Sequence, residues 1–556
     1  MIANTYPGGK GPGVWVTSMG GYRLYLNGQL LAWDNQPGRI RFIPLTVLPG
    51  RQALTVVGVH HGDAPGVLVQ LDELDSSQVS SAAWKASANP VGNAWKLPSF
   101  SDTDWSAASA SGTSSRRPDG KALTGWAASS GAKWIWSGNP ADTAVVLRCS
   151  FKIAPVGFGQ STTGGAGGDT VVASTPDRIS AALTAAGAKV ILIPEGVYDL
   201  RNPHSAIDGV WDWCTRQCGN GDLNSSNTYY RVTFDGTCGS GETKATSLMR
   251  WDRLIFVKPN KTLVGMGRGA VLRGSAMYIQ GPTNGGNAVF RNLAIHDINP
   301  HVIEGGDGIT SDNASKLWID HCSFKWISDG NDMGGDSAKE HSITWSVYDG
   351  ENHANCYKYD PYVALIENAE LTYAYDYWVN TMGRVPKVVS DTRESKVHIV
   401  NNYVNFNNYF LVGAHGTARF GAQVLWESSY MKDAKAYLCL KQNYGLIQSK
   451  NNVFSGTVGK FMYEDYDGGK TAAAIPEPKD NVFTPPYEYR NFGTDVLPTL
   501  IPQRAGIGAA WNDLPAYDVP AGLAPRGPGK VSLVSGGPTS TDGTVFLTAT
   551  AAAGDA

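Results

Sequence analysis

The chain has 556 residues, more than one ordinary hydrophobic core accommodates, so at least two folding units are expected. Its composition, with 65 Gly, 24 Tyr and 17 Trp and only 17% charged residues, favours β structure over helix. The formal net charge of −3 excludes the general basic character of a nucleic-acid-binding protein, and no apolar run is long enough to predict a membrane span.

Residues 1–152 are predicted to form a separate β-sandwich domain. Asn27-Gly28 lies between alternating apolar residues in YRLYLNGQLLAW, which is a strong hairpin pattern. Eight of the 17 tryptophans fall in this region, and they either fill the sandwich core or form a platform for sugars. The hairpin and the later FSDTDW resemble jelly-roll accessory modules of carbohydrate-active enzymes. That resemblance implies a carbohydrate-binding role.

The stretch that follows predicts the start of a second domain near residue 153. GFGQSTTGGAGG is rich in glycine, as linkers are. After it, Thr175 is suited to cap a helix with Pro176 in its first turn, and Ile179, Ala182 and Leu183 share one face. We predict a second domain over residues 153–520 and a C-terminal tail over 521–556, with the segment from Pro476 packing along that domain.

A loose repeat indicates a solenoid. Apolar strand positions recur every 22 to 28 residues with no helical pattern between them, at Leu293, Leu317, Ile343, Leu371, Val397, Val424 and Leu446. The predicted fold class is therefore all-β, a parallel β-helix preceded by a β-sandwich. Asparagine pairs at 401–402 and 451–452 occupy matching positions, and we expect them to stack as an internal asparagine ladder.

Cysteine usage bears on the compartment. Cys214, Cys218 and Cys238 lie close together in a polar stretch, which favours a loop disulfide of an exported protein over a zinc site. Cys322 and Cys439 stand in apolar β-runs and are predicted to be buried. The first residues lack the pattern of an export signal, so the expected extracellular location requires a signal that is absent from this sequence.

An acidic group is the first candidate for chemistry. Asp307 begins one predicted β-run, and Asp329, Asp332 and Asp336 lie in the loop after the next. Neighbouring coils are about 4.8 Å apart, so Asp307 would approach Asp329 or Asp332, and oxygen ligands of this kind suit calcium. The predicted metal ligands are Asp307, Asp329 and Asp332. The alternative is a solvated acidic turn.

A basic group follows it, at Lys358, Arg384 and Lys387. β-Elimination from an acidic sugar removes the proton beside the carboxyl group, so the carboxylate must be neutralised and a base must reach that proton. A guanidinium can serve as this base only if nearby cations and exclusion of water favour its neutral form, which predicts activity at alkaline pH. The alternative is a surface arginine at a strand end.

Six motifs between residues 156 and 460 resemble the pectate lyase and pectin lyase family, in that family's order: GFGQSTTGGAGG, NLAIHDINP, GGDGIT, WIDH, GRVPKV and HIVNNYV. The resemblance implies a right-handed parallel β-helix that cleaves homogalacturonan, an acidic plant cell-wall polysaccharide, and acts as a monomer. It implies that Arg384 is the catalytic base and that Lys358 and Lys387 bind substrate carboxylates. Asp307 matches an aspartate of the groove.

The two branches of this family differ in their use of metal. Pectate lyases bind calcium, whereas pectin lyases carry an arginine there and act on esterified substrate. At this place the chain has SDGNDMGGD without an arginine, which favours the calcium-dependent pectate branch. The spacing of the carboxylates and Val389, where pectate lyases have a second arginine, depart from that branch. The alternatives are a metal-independent pectin lyase and a β-helical protein that binds acidic glycans without cutting them.

Overall fold

A computed structural model gives the fold of most of the chain. It describes residues 13–46, 48–60, 64–71, 79–112, 116–123, 131–200, 212–218, 228–233, 237–244, 253–281, 286–298, 300, 302–303, 306–330, 332–333, 335–352, 359, 362–465, 467–508, 533–534 and 548–549. Neither of the two α-helices in these ranges is long and apolar enough to cross a membrane.

The first 153 residues contain two antiparallel sheets around one hydrophobic core. In spatial order, the first sheet has strands Arg41–Pro44, Gly13–Ser18, Val67–Leu71, Trp134–Trp136 and Ser109–Ser111. The second has Gln29–Asp34, Gly21–Leu26, Gly50–Val59, Ala144–Ile153, Lys85–Ser87 and Ser106–Ala107. A short 3₁₀ helix spans Ala94–Lys96. The predicted hairpin is present, because Asn27 and Gly28 both adopt positive φ between two paired strands.

The tryptophans of this unit have two different environments. Trp84, Trp95, Trp134 and Trp136 are buried, as expected of residues that fill a sandwich core. Trp33 is 61% exposed on the outermost strand of the second sheet. The core explanation therefore holds for those four residues and not for Trp33.

From residue 169 onward the chain winds into a parallel solenoid. One face of it is a ten-stranded sheet of Asp169–Val172, Lys189–Ile193, Lys261–Gly265, Gly286–Arg291, Ser315–Asp320, Lys339–Thr344, Glu370–Ala374, Ser395–Val400, Ala422–Glu427 and Leu446–Lys450. A second face has nine strands, Gly196–Asp199, Ala270–Arg273, Leu293–Ile298, Ser323–Ile327, Val347–Asp349, Tyr377–Thr381, Tyr403–Asn407, Tyr430–Ala434 and Val453–Ser455.

The third face is divided into two sheets. The first contains Arg253–Phe256, Ser275–Gln280, Ile309–Asp312 and Asp332–Met333. The second contains Gly335–Asp336, Leu365–Glu367, Lys387–Ser390, Phe410–Gly416, Tyr437–Asn443, Lys460–Asp465 and the antiparallel Lys470–Ala474. The remaining strands form a small sheet of Thr243–Lys244, Asp212–Gln217, Thr228–Thr233 and Val302–Ile303, and a pair, Leu533–Val534 with Thr548–Ala549. The predicted all-β class, a parallel β-helix after a β-sandwich, is confirmed.

The repeat positions predicted from the sequence are correct in part. Leu317, Leu371, Val397 and Val424 share one register of the ten-stranded face. Ile343 and Leu446 are displaced from that register by two residues and one residue, and Leu293 starts a strand of the second face. The reason is that each coil carries two successive apolar strands, which meet at a corner residue of positive φ such as Asn292.

Several elements close or cover the solenoid. Helix Pro176–Thr184 starts as predicted, with the Thr175 side chain accepting a hydrogen bond from the Arg178 N–H. It buries Ile179 and Leu183 at the beginning of the solenoid core. The glycine-rich stretch is not a free linker. It contains the 3₁₀ helix Phe158–Ser161 and lies on the ten-stranded face, where Gly159 N–H donates to Ser342 Oγ at 2.8 Å.

The C-terminal segment runs back along the solenoid over residues 476–508, and we call it the strap. It contains helix Leu497–Arg504, which buries Leu497 and Ile501. The N–H of Ser449 donates to the Pro478 carbonyl at 2.9 Å, and the N–H of Gly506 donates to the Trp345 carbonyl at 2.7 Å. The prediction that the chain packs along the solenoid after Pro476 is confirmed for these residues.

Candidate functional site

Asp307 lies just before the strand Ile309–Asp312, on the third face of the solenoid. Its two carboxylate oxygens accept hydrogen bonds from the Gly330 N–H at 2.9 Å and from the Thr310 hydroxyl at 2.8 Å. Burial raises the pKa of this carboxyl group to about 6, although these two hydrogen bonds and the positive charge of Arg384 lower it. The carboxylate is therefore held in a fixed orientation in a partly dehydrated place.

The other predicted metal ligands lie one coil further on. The N–H of Asp329 donates to the Gly306 carbonyl at 3.1 Å, so the backbone just before Asp307 lies beside the backbone of Asp329. Asp332 pairs with Ile309 in the next strand, and its side chain lies outside the described residues. In the described part of the chain, neither Asp307 nor Asp329 belongs to a group of three or more clustered potential metal ligands.

Arg384 stands at the turn that leads into the strand Lys387–Ser390. It has φ of +54°, the left-handed conformation that many corner residues of this solenoid also adopt. Its carbonyl accepts a hydrogen bond from the Ala364 N–H at 2.8 Å. Its guanidinium carbon lies 3.6 Å from the centroid of the Tyr362 ring. A cation held on an aromatic face in this way has a restricted set of orientations.

Lys387 follows three residues later, at the first position of the strand. Its N–H donates to the Ala364 carbonyl at 3.0 Å, and its side chain is partly buried. Burial lowers the pKa of the Lys387 ammonium group, and the like charge of Arg384 lowers it further. Lys358, the other predicted substrate-binding lysine, lies outside the described residues.

Three charged groups thus share one edge of the third face. Ile309 lies opposite Asp332 in one sheet of the third face, and Leu365 lies opposite Lys387 in the other. The two sheets adjoin where the strand Ile309–Asp312 contacts Gly335–Asp336. Arg384 acts electrostatically on both Asp307 and Lys387. A ligand at this edge would meet two cationic groups, Arg384 and Lys387, and the carboxylate of Asp307. These groups suit an anionic ligand with exchangeable protons.

Tyr362 and Thr310 are parts of this site that the sequence reasoning missed. Tyr362 bridges to Gly383 in parallel register, and it is 22 residues before Arg384, the same offset that separates Leu365 from Lys387. Counting back one coil from Arg384 would have found it. Thr310 offered no signal, since a threonine three residues after an aspartate is common in turns.

The histidine of WIDH, His321, belongs to a buried structural network and not to the charged edge. His321 Nδ1 is 2.7 Å from Asp320 Oδ2, and Asp320 also accepts from Arg291 Nε at 2.7 Å. All three side chains are nearly fully buried. Burial by itself raises the pKa of Asp320, but the charges of His321 and Arg291 outweigh it and hold that pKa at about 2. This network stabilises the interior beneath the ten-stranded face.

The described residues define a parallel β-helix protein with a charged edge on its third face. Proteins of similar sequence include pectin lyases. The chain is 27% identical over 332 residues to Probable pectin lyase D of Aspergillus niger. This alignment covers 57% of this chain and 83% of that protein. It is 32% identical over 270 residues to Probable pectin lyase F of Emericella nidulans, 46% of this chain and 53% of that protein.

Solved structures of similar shape include a pectate lyase from Bacillus sp. N165 in complex with trigalacturonate. The two sequences are 20% identical, and the structural alignment covers 64% of this chain and 99% of the lyase chain with a TM-score of 0.40. No family model matches the chain. The resemblance to the pectate lyase and pectin lyase family is confirmed by these sequence relatives, which are named pectin lyases.

Proposed function

We propose that the chain cleaves α-1,4-linked galacturonan by β-elimination, with Arg384 as the base. The observation that carries this proposal is that Arg384 and Lys387 lie three residues apart at one strand end, with the Arg384 guanidinium held on the Tyr362 ring. Arg384 can then take a proton from the sugar while Lys387 binds the sugar carboxylate next to that proton. Lys387 and Lys358 are the residues proposed to bind substrate carboxylates.

The proposed reaction proceeds as follows. The guanidine nitrogen of Arg384 takes the C5 proton of a galacturonate residue, and the electrons of that C–H bond form a C4–C5 double bond. The C4–O4 bond breaks, and the departing oxygen takes up a proton to give a new chain end. Lys387 favours this step because its positive charge offsets the negative charge that develops at the C6 carboxyl group.

Calcium is the cofactor proposed for action on unesterified substrate. Asp307, Asp329 and Asp332 would hold it, and bound calcium would neutralise the substrate carboxylate. The fit of the described residues is incomplete. Calcium takes six to eight oxygen ligands, whereas both oxygens of Asp307 already accept hydrogen bonds from the protein. Waters and substrate oxygens would have to supply the remaining positions.

A metal-independent pectin lyase is the second candidate. It is favoured by the engagement of Asp307 with Thr310 and Gly330, and by relatives that are named pectin lyases. In this case a methyl ester replaces the metal ion as the group that removes the substrate's charge. The base and its location are the same in both candidates.

One assay tests the proposal and separates the candidates. The purified chain is mixed with polygalacturonate or with highly esterified pectin, with calcium or with EDTA, and the ultraviolet absorbance of the unsaturated product is followed. Calcium-dependent product from polygalacturonate supports the pectate branch, and EDTA-resistant product from esterified pectin supports the pectin branch. Absence of unsaturated product from both substrates, with binding retained, assigns the chain to non-catalytic glycan binders.

The proposed setting of this activity is extracellular. The disulfide between Cys214 and Cys238 supports it, since such bonds persist in oxidising compartments. Cys218 is also disulfide-bonded, whereas Cys322 and Cys439 are free and buried, as predicted. We further propose that the solenoid from residue 153 to 520 is the catalytic domain and that residues 1–152 are an accessory domain. The tail over 521–556 lies almost wholly outside the described residues.

A further inference from the structure

The N-terminal sandwich contains a cavity of about 370 Å³ that takes no part in the proposed reaction. It opens at the end of the hairpin formed by Gly21–Leu26 and Gln29–Asp34. Tyr22, Arg23, Trp33, Asp34 and Asn35 are among the residues that line it. A concave site with aromatic side chains and a few polar groups is typical of small-ligand binding.

Trp33 gives this cavity an exposed aromatic face. The side chain is 61% exposed, and it lies on the outermost strand, where no further strand covers it. Its backbone is fixed, because Arg41 Nη1 donates to the Trp33 carbonyl at 3.0 Å. Arg23 is its direct cross-strand partner, so the two exposed side chains lie beside each other on the same face of the sheet. Tryptophan is highly buried on average, and an exposed ring that lines a cavity offers a ligand a flat apolar surface.

Asp34 pairs with two arginines beside the cavity. Its side chain is only 5% exposed, and its Oδ1 accepts a hydrogen bond from the Gln36 N–H at 2.9 Å. Its Oδ2 is buried and lies 3.7 Å from Arg39 Nε and 3.9 Å from Arg41 Nη1. Successive side chains of a strand point to opposite faces, so Asp34 stabilises the strand end from the side opposite to Trp33.

The charges around the cavity favour an anionic ligand. Arg39 and Arg41 pair with Asp34, whereas Arg23 lines the cavity and has no ion-pair partner among the described residues. Arginine pairs well with carboxylates, because its planar fork matches their geometry. A ligand with a flat apolar face and a carboxylate would contact Trp33 and Arg23 together.

We propose that this cavity is a second glycan site, which holds a uronic acid residue of an acidic polysaccharide. Trp33 stacks against the sugar ring, and Arg23 pairs with the uronate carboxylate. The choice of galacturonan as the polysaccharide rests on the proposed function. With one polymer held at two sites, the sandwich would raise the local concentration of substrate at the solenoid.

The test uses the full chain in a background that weakens the solenoid site, Arg384→Ala with Lys387→Ala. Retardation of the protein is measured in native gels that contain polygalacturonate, and in parallel gels that contain a neutral galactan. Adding Trp33→Ala or Arg23→Gln is expected to weaken binding to polygalacturonate about tenfold or more. Leu30→Ala is the matched control, since Leu30 is exposed on the same strand but does not line the cavity, and it is expected to bind as the background does.

Three outcomes overturn the proposal. In the first, the Trp33→Ala variant has a native circular dichroism spectrum and is retarded by polygalacturonate as strongly as the background. In the second, Leu30→Ala loses as much retardation as Trp33→Ala. In the third, the neutral galactan retards the protein and Arg23→Gln does not reduce that retardation. Failure here is distinguishable from failure of the proposed function, because this measurement detects binding and needs no cleavage. The unaltered chain could form no unsaturated product while Trp33→Ala still reduces retardation. That result would support the second site and contradict only the proposed lyase activity.

Discussion

At the scale of single residues, Arg384 is positioned by contacts on several sides. Its ring partner is Tyr362, its carbonyl is held by the Ala364 N–H, and the next residue donates its N–H to the Leu411 carbonyl at 2.8 Å. These contacts come from the coils before and after its own. The proposed base, held in this way, would reach a bound sugar without an additional loss of conformational freedom.

Replacing Arg384 with alanine is expected to lower kcat by about 10²- to 10⁴-fold, the usual contribution of a positioned base. The thermal midpoint should change little, since the guanidinium is partly exposed. Initial rates of unsaturated-product formation provide the measurement. Arg419→Ala is the control, because Arg419 also lies over an aromatic ring, that of Phe420, yet is exposed away from the site. An equal loss of rate in both variants contradicts the role of Arg384.

The carboxyl group of Asp307 should make stability depend on pH. Its pKa rises from 3.8 to about 6 on folding, so the folded state holds this proton more tightly than the unfolded state. Stability from this group is fully present below pH 4 and is lost as pH rises through 6. Relative to Asp307→Asn, the free energy of unfolding of the unaltered chain should fall by about 1–3 kcal/mol between pH 4 and pH 7.

Denaturant unfolding at several pH values measures this difference. Asp391→Asn, at an exposed position on the same face, is the comparison variant. If the unaltered chain and Asp307→Asn show parallel pH profiles, Asp307 does not titrate in this window.

At the scale of elements, the corners of the solenoid are joined by a ladder of polar side chains. The Asp376 side chain accepts from the Ser346 N–H at 2.7 Å, and the Asn402 side chain accepts from the Asp376 N–H at 2.6 Å. Ser429 and Asn452 continue the series one coil at a time. The predicted stacking of Asn402 on Asn452 is wrong, because the Ser429 coil lies between them. The predicted structural role is correct.

Asn402→Ala is expected to destabilise the chain by about 1–3 kcal/mol. The substitution leaves the Asp376 N–H and the Tyr373 carbonyl without the Asn402 side chain in a buried place. Denaturant unfolding gives the value. Asn405→Ala is the matched control, since its amide makes one longer contact, 3.3 Å to the Tyr377 hydroxyl, at a partly exposed position. A cost for Asn402→Ala no larger than for Asn405→Ala contradicts a special role for the ladder.

At the scale of the whole molecule, non-adjacent segments hold the solenoid together. The strap covers the buried pair of His398 and Glu427, and the Tyr489 hydroxyl donates to Glu427. Burial by itself raises the pKa of Glu427, but the hydrogen bonds from His398 and Tyr489 outweigh it and lower that pKa to about 2. On the same sheet, Trp318 is fully buried in the core cluster of the N-terminal sandwich. The two units are therefore packed against each other.

A chain that ends at residue 475 is expected to unfold at a temperature roughly 5–10 °C below that of the full chain. Truncation removes the strap and exposes the pair of His398 and Glu427 together with the apolar cluster around Leu497 and Ile501. A chain that ends at residue 508 retains every described contact of the strap and is the control. Differential scanning calorimetry compares the three, and equal midpoints for all of them show that the strap does not stabilise the solenoid.

Local patterns were sufficient for much of this molecule. The Asn27-Gly28 hairpin, the helix after Thr175 and the solenoid repeat follow from backbone preferences and periodicity within a few tens of residues, and these act before any distant contact forms. The residue types of the candidate site were also predicted. Asp307, Arg384 and Lys387 stand out because charged groups at strand ends, next to glycine or proline, are expected to serve a ligand.

Only the tertiary structure decided how those pieces meet. The strand register determines that Tyr362 lies under Arg384, that Asp307 is oriented by Gly330, and that Ser429 separates two asparagines. Register depends on the packing of whole coils, and a shift of one or two residues is invisible in a loose repeat. Exposure is decided in the same way, because Trp33 and the buried tryptophans have similar local sequences. Whether a neighbouring strand covers the ring is a property of the folded sheet.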